Sequence, residues 1–197
     1  MTKKILKNVL LVAATLTLFS FGFAIPEGWF PAGSLPASYD MGVEKASGQD
    51  GKNAATIKST KKKIEGFGTL MQNCLPDKFI GKRVRLSGYM KSKDVESWAG
   101  FWMRVDQEGT QHSLSFDNMH DRAIKGTTEW KKYEIVLDVP AKASNIAYGA
   151  LLNGTGQIWF DKLNFEVVDS YLPTTGKGLS NAVINKEPVN LDFEEGK

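Results

Sequence analysis

Cysteine is nearly absent: Cys74 is the single one among 197 residues. An internal disulfide is therefore excluded, and stability must come from packing or from a bound ion. Histidine is almost as scarce. His112 and His120 are the only two, and neither a His-x-x-x-His pair nor a cysteine cluster supplies a zinc set. No serine nucleophile motif with a matched base occurs, and glycine-rich phosphate loops and dinucleotide fingerprints are missing. Past the N-terminus no stretch keeps a 3.6-residue apolar period, so long amphipathic helices are excluded as well. These absences argue against an enzyme. Cys74 itself lies in a Leu-Met-Gln-Asn-Cys-Leu stretch that reads as strand. With no His or Lys beside it to activate the thiol, it is expected to be buried and inert.

The one long apolar run is at the start. Lys3, Lys4 and Lys7 precede an uncharged segment from Val9 to Phe23, which closes on Gly22-Phe23-Ala24 before Ile25-Pro26. That order of basic, apolar and small-residue regions is the layout of a secretory signal, and the run is short for a membrane span of ~20 residues. A signal peptide over residues 1–24 and an exported product, periplasmic or extracellular, are expected; an uncleaved N-terminal anchor is the alternative. Removing those residues changes the charge balance. The whole chain has 25 Lys+Arg against 22 Asp+Glu, but three of the lysines and no acidic residue lie in the leader. The remainder is balanced, so no footprint for nucleic acid or for an anionic membrane is expected.

Beyond residue 52 the chain is a series of short strands between turn signals: Asn53–Ser59, Phe67–Leu75, Arg83–Lys91, Trp98–Asp106, His112–Phe116, Trp130–Val139, Ile146–Leu152 and Gln157–Val168. Alternation assigns their faces. Val84, Leu86, Gly88 and Met90 share one face; Arg83, Arg85, Ser87, Tyr89 and Lys91 share the other. Ala99, Phe101, Met103 and Val105 oppose Trp98, Gly100, Trp102, Arg104 and Asp106. Tyr133, Ile135, Leu137 and Val139 look inward, with Lys132 and Glu134 outward. One dry and one wet face per strand predicts an all-β fold, an antiparallel β-sandwich. Its expected extent is residues 25–170. Residues 171–197, with Pro173, Gly176, Gly178 and Pro188, read as a connector that ends in a possible further strand, Asn190–Glu194.

Three segments carry a resemblance. Trp159-Phe160-Asp161-Lys162-Leu163-Asn164-Phe165-Glu166-Val167 is similar to the last strand of galactose-binding-like jelly rolls, the fold of many carbohydrate-binding modules. Gly81–Lys91 resembles a strand that such modules place mid-domain, and Trp130–Glu134 the strand after their polar loop. The resemblance covers about residues 28–169 and implies a jelly roll with a non-catalytic binding role. It also has a departure: Asn190–Glu194 looks like a first strand, yet lies at the C-terminus, either closing this sandwich or belonging to a lost module.

A sugar presents apolar C–H faces and a polar rim, so its receptor needs aromatic platforms beside hydrogen-bonding groups. Trp98 and Trp102, four apart on one strand face, are the candidate platforms; Arg104, with Arg85 and Tyr89 across the sheet, are the candidate donors. The alternative is that both indoles simply pack. The polar run Asp117-Asn118-Met119-His120-Asp121-Arg122 is a candidate rim, or else a solvated turn. No cofactor is expected, although the resemblance makes Asp161 a position for structural calcium, with Asp192 or Glu194 to complete it. The expected function is non-covalent binding of a carbohydrate or related extracellular ligand. A structural or protein-interaction domain orphaned from an enzyme or regulator is the alternative, and a small hydrolase around Asp117–Arg122 and Glu134 a third.

Overall fold

The computed structural model describes residues 22–178. Residues 1–21 of the expected signal, and Asn190–Glu194, lie outside the described residues. Ten strands succeed one another: β1 (Phe30–Gly33), β2 (Tyr39–Glu44), β3 (Ala54–Ser59), β4 (Phe67–Cys74), β5 (Lys82–Asp106), β6 (Ser115–Asp117), β7 (Ile124–Val139), β8 (Asn145–Asn153), β9 (Gln157–Val168) and β10 (Lys177–Gly178). Two three-residue 3-10 turns, Pro36–Ser38 and His120–Arg122, are the only helical elements among the described residues. All pairings are antiparallel.

Arg83–Lys91 and Trp98–Asp106, expected as two strands, are the two halves of the 25-residue β5. The polar segment between them does not break the strand. Its register against β7 shifts at Ser92, Val95 and Ala99, and Asp94 has φ 52°. Such irregularities bend a strand without ending it. The first half of β5 joins β7 and β9, with β3 and β2 beyond. The second half joins β8, β4 and β1 on one side and β6 on the other. One strand thus belongs to both layers.

The layers meet over the faces read from alternation. Val84, Leu86, Met90, Phe101, Met103 and Val105 of β5 are all buried, as are Ile135, Leu137 and Val139 of β7. Phe101 and Phe160 meet edge to face at 6.1 Å between centroids, near the middle of the core. Gly88 is required there: a Cβ on it would lie 2.9 Å from the Phe101 ring. Trp29 closes one end of the sandwich, 5.7 Å from Tyr148 and 6.0 Å from Phe160. Cys74 is half-buried and free, and burial pushes its thiol pKa up, as an inert thiol requires.

β1 and β2 are additions to the strands expected from sequence. They lie in the N-terminal stretch, where Pro31, Pro36 and several glycines mask the alternation. Pro31 fits because β1 sits at the end of the strand order, on the sheet edge. The tail also contributes past residue 170. Arg83 donates to the carbonyls of Ser170 and Leu172, Thr175 N donates to Val136 O at 2.9 Å, and β10 pairs with β6.

Candidate functional site

The outer face of the layer containing β1, β4, β8 and the second half of β5 is indented. Ladder register sets Trp98 beside Asn153, Trp102 beside Gly149, and Arg104 between Ala147 and Phe116. On the far side of β8, Thr69 pairs with Leu151 and Met71 with Gly149. Because side chains alternate, Phe67, Thr69, Met71, Leu151, Trp98, Trp102 and Arg104 all project from this one face. With Ala32, Gly33, Phe116 and Asn118 they line a groove of about 330 Å³.

Trp102 is the floor of this groove. It is 8% exposed and packs against Ala147 and Leu151, with Phe67, Met71 and Trp98 around it. Its Nε1 donates to Thr69 Oγ1 at 2.8 Å, and that hydroxyl donates to Ala150 O at 2.7 Å. A Cβ on Gly149, the ladder partner of Trp102, would clash with the Leu70 carbonyl oxygen, so glycine is what lets β4 and β8 approach this closely here. Trp102 is therefore a packed, fully hydrogen-bonded indole, not a free-standing platform. Trp98 is different. It is half-buried, forms a wall, and meets the exposed His120 edge to face at 5.1 Å. Arg104 is half-exposed, its Nε 2.8 Å from Asp106 Oδ1.

The groove opens at Arg104 and Phe116 into a larger polar cavity of about 750 Å³, lined by the 106–111 loop, Ser113, Ser144 and Asn145. At Phe116 and Asn118 it adjoins another of about 550 Å³, which includes His120, Asp121 and Thr175.

The expected site residues separate into three groups. Trp98, Trp102, Arg104 and Asn118 come together in the groove. Asp117 is next to it but buried, accepting from Met119 N at 2.8 Å, Arg122 Nη2 at 2.5 Å and Thr175 Oγ1 at 2.5 Å. Its carboxylate organises the loop rather than facing a ligand. Burial opposes the Arg122 charge, but the pairs with Asp117 and Asp121 prevail and raise its pKa. Arg85 and Tyr89 do not join the groove, because the first half of β5 lies in the opposite layer. Arg85 pairs with Glu134 at 3.3 Å and Glu166 at 3.2 Å; Tyr89 has Lys132 and Asp161 as ladder partners. The expectation that they stand across the sheet from Trp98 is corrected by the continuity of β5.

The carboxylates of the hydrolase alternative do not converge. Glu134 is held by Arg85 and Lys132, whereas Arg122 takes only its backbone carbonyl. Asp161 accepts from Lys162 N at 2.7 Å and Gln49 N at 3.4 Å, beside Asp50 and Lys162. Among the described residues no three His, Cys, Asp or Glu side chains cluster as metal ligands. Two further tryptophans lie on the other layer, where Lys91 Nζ stands 5.1 Å from the Trp130 ring and 4.8 Å from that of Trp159.

Seven groove residues are not singled out by the sequence alone: Ala32, Gly33, Phe67, Thr69, Met71, Leu151 and Phe116. Phe67, Thr69 and Met71 do alternate along one strand, which is the signal that could have found them. Leu151 and Phe116 needed the pairing of β8 and β6 with β5.

No protein-family model matches the chain. It is 43% identical over 170 residues to an uncharacterized HTH-type transcriptional regulator, YbfP, of Bacillus subtilis (strain 168); the match takes in 86% of this chain and 57% of the regulator. The chain thus spans little more than half of that relative's length. Among solved structures, the CBM22-1 xylan-binding domain of Paenibacillus barcinonensis Xyn10C superposes with a TM-score of 0.52 at 15% identity, over 75% of this chain and 90% of that domain. A cyclase from Fischerella sp. TAU gives 0.51 at 12% identity, over 74% and 87%. The fold is that of a carbohydrate-binding-module-like jelly roll. At these identities the likeness defines architecture; function rests on the groove.

Proposed function

We propose that this protein is a non-catalytic module that binds a carbohydrate in the groove of the β1-β4-β8-β5 layer. The observation that carries the reading is the groove's composition: an indole wall at Trp98, an apolar floor at Trp102 and Leu151, and donors at Arg104 and Asn118 around one opening. Flat apolar surface beside a few convergent polar groups is what a sugar ring requires. Likeness to a xylan-binding domain supports the same reading. The carboxylates of Asp117, Glu134 and Asp106 are each engaged by cations, which favours binding without turnover.

The regulator relative favours one elaboration. Described residues hold no helix-turn-helix, so what the two chains have in common is expected to be ligand sensing rather than DNA reading. Export through a signal over residues 1–24 belongs to this proposal. In the described structure Val43 N donates to Ala24 O at 2.8 Å, so cleavage after Ala24 would remove one bridge from the edge of β2.

Calorimetric titration of the purified protein with a panel of soluble polysaccharides tests the binding reading. Saturable heat with one glycan class supports it; a folded protein silent across the panel overturns it in favour of an interaction domain. Cell fractionation with N-terminal sequencing tests export: a product beginning at Ile25 supports it, and an intact N-terminus inside the cell contradicts it.

A further inference from the structure

The four arginines of the chain are Arg83, Arg85, Arg104 and Arg122. Three are spent inside the fold. Arg83 Nη1 donates to two tail carbonyls and Nη2 to Asp138; Arg122 uses both terminal nitrogens on Asp117, Asp121 and the Glu134 carbonyl; Arg85 Nη1 is on Glu134. Arg104 alone has neither terminal nitrogen hydrogen-bonded among the described residues. Its Nε is nevertheless anchored, donating to Asp106 Oδ2 at 3.1 Å with Oδ1 at 2.8 Å, and Asn145 Nδ2 in turn donates to Asp106 Oδ2 at 3.1 Å. The backbone beneath is fixed by ladders on both sides, to Ala147 and Phe116.

A guanidinium held by one edge, with its two-nitrogen end open, is a preformed fork. That fork matches the two oxygens of a carboxylate, and the Asp106 contact restricts its conformational freedom before a ligand arrives. Among the described residues Arg104 is also the only charged one lining the groove, where the other polar side chains, Thr69 and Asn118, are neutral. Two acidic side chains lie on the side of the adjoining polar cavity: Asp106, whose pair with Arg104 offsets part of both charges, and Glu108.

Building on the carbohydrate reading, we propose that the groove selects an acidic glycan of the uronic-acid class, in which one ring's carboxylate is received by the terminal nitrogens of Arg104 while another ring of the same chain lies against Trp98. Arg104 is then the specificity-determining residue of the site. A neutral sugar hydroxyl can take one of those donors, whereas a carboxylate takes both with charge assistance.

The test is calorimetric titration of the full protein with trimers of galacturonate, glucuronate, mannuronate and guluronate, each beside its carboxyl-reduced counterpart. One acidic trimer is expected to bind about tenfold or more tightly than its reduced form, the advantage shrinking with added salt. Arg104→Gln is expected to abolish the difference, and Arg104→Lys, which keeps the charge without the fork, to restore only part of it. Both variants change a half-exposed side chain, and thermal melts verify their folding. Reduced trimers binding as tightly as acidic ones overturn the acidic-sugar inference and leave the carbohydrate reading standing. A preference unchanged in Arg104→Gln overturns the role of Arg104. Silence with every acidic, reduced and neutral glycan overturns both.

Discussion

Trp98 and Trp102 share a strand face and a groove, yet their side chains do different work. Trp102 is enclosed and hydrogen-bonded to Thr69, so truncation removes a buried indole and leaves the Thr69 hydroxyl an acceptor without its donor. Trp102→Ala is expected to cost about 3–5 kcal/mol of stability, measured by urea denaturation. Trp98→Ala removes a half-exposed wall and is expected to cost less than about 1 kcal/mol. In the sequence the two indoles look equivalent, because alternation shows which face a residue is on but not what lies over it. Tyr39 supplies a second prediction. Its hydroxyl contacts the carbonyls of Gly66 and Gly154 at 3.0 and 2.9 Å, and burial raises its pKa to about 12. A tyrosine whose pKa is higher folded than unfolded contributes stability in full below about pH 10, the unfolded value, and loses it as pH rises towards 12. Alkaline melts should therefore show stability falling over that window. Tyr39→Phe should flatten part of the fall, the remainder coming from Tyr133 and Tyr148, which burial raises in the same direction.

At the scale of elements, the Asp117–Arg122 loop and the 170–178 segment form one unit. Asp117 holds the Met119 backbone, Arg122 and Thr175 at once, and Thr175 is bonded on to β7 through Val136. Asp117→Ala strands these donors and is expected to destabilise by on the order of 2 kcal/mol. Amide exchange should rise in residues 115–122 and 172–178 together; a rise confined to the loop would contradict the coupling. Nothing in the local sequence announces it, since Asp117 and Thr175 are 58 residues apart. The strand interiors are legible for the opposite reason. Val84, Leu86, Met90, Phe101, Met103 and Val105 fall at alternate positions in their two runs, and period two is a local signal. The join between the halves of β5 is not legible, because Ser92–Ser97 reads as a loop by composition and only pairing with β7 and β9 keeps it extended. That one join is what separates Arg85 and Tyr89 from the groove.

For the whole molecule, a hydrophobic core fills the space between the layers of the described residues. Asp161 has its carboxylate on two backbone amides, and no metal-ligating cluster occurs among the described residues, so a chelator is expected to leave the melting temperature unchanged. A drop of several degrees would mean that carboxylates from beyond residue 178 join Asp161 around a cation. The jelly-roll layers have two tryptophan-bearing outer faces, and they differ. On one, Lys91 stands over both Trp130 and Trp159; on the other, Trp98 borders open space. Ligand binding is proposed for the second. The most direct test is intrinsic fluorescence titration of the protein and of Trp98→Ala with the same glycan panel, alongside Trp130→Phe as a control on the opposite face. A saturable change is predicted in the unaltered protein and in Trp130→Phe, with affinity falling at least about tenfold in a folded Trp98→Ala. Binding that survives in Trp98→Ala and disappears in Trp130→Phe would contradict this assignment and move the site to the other layer.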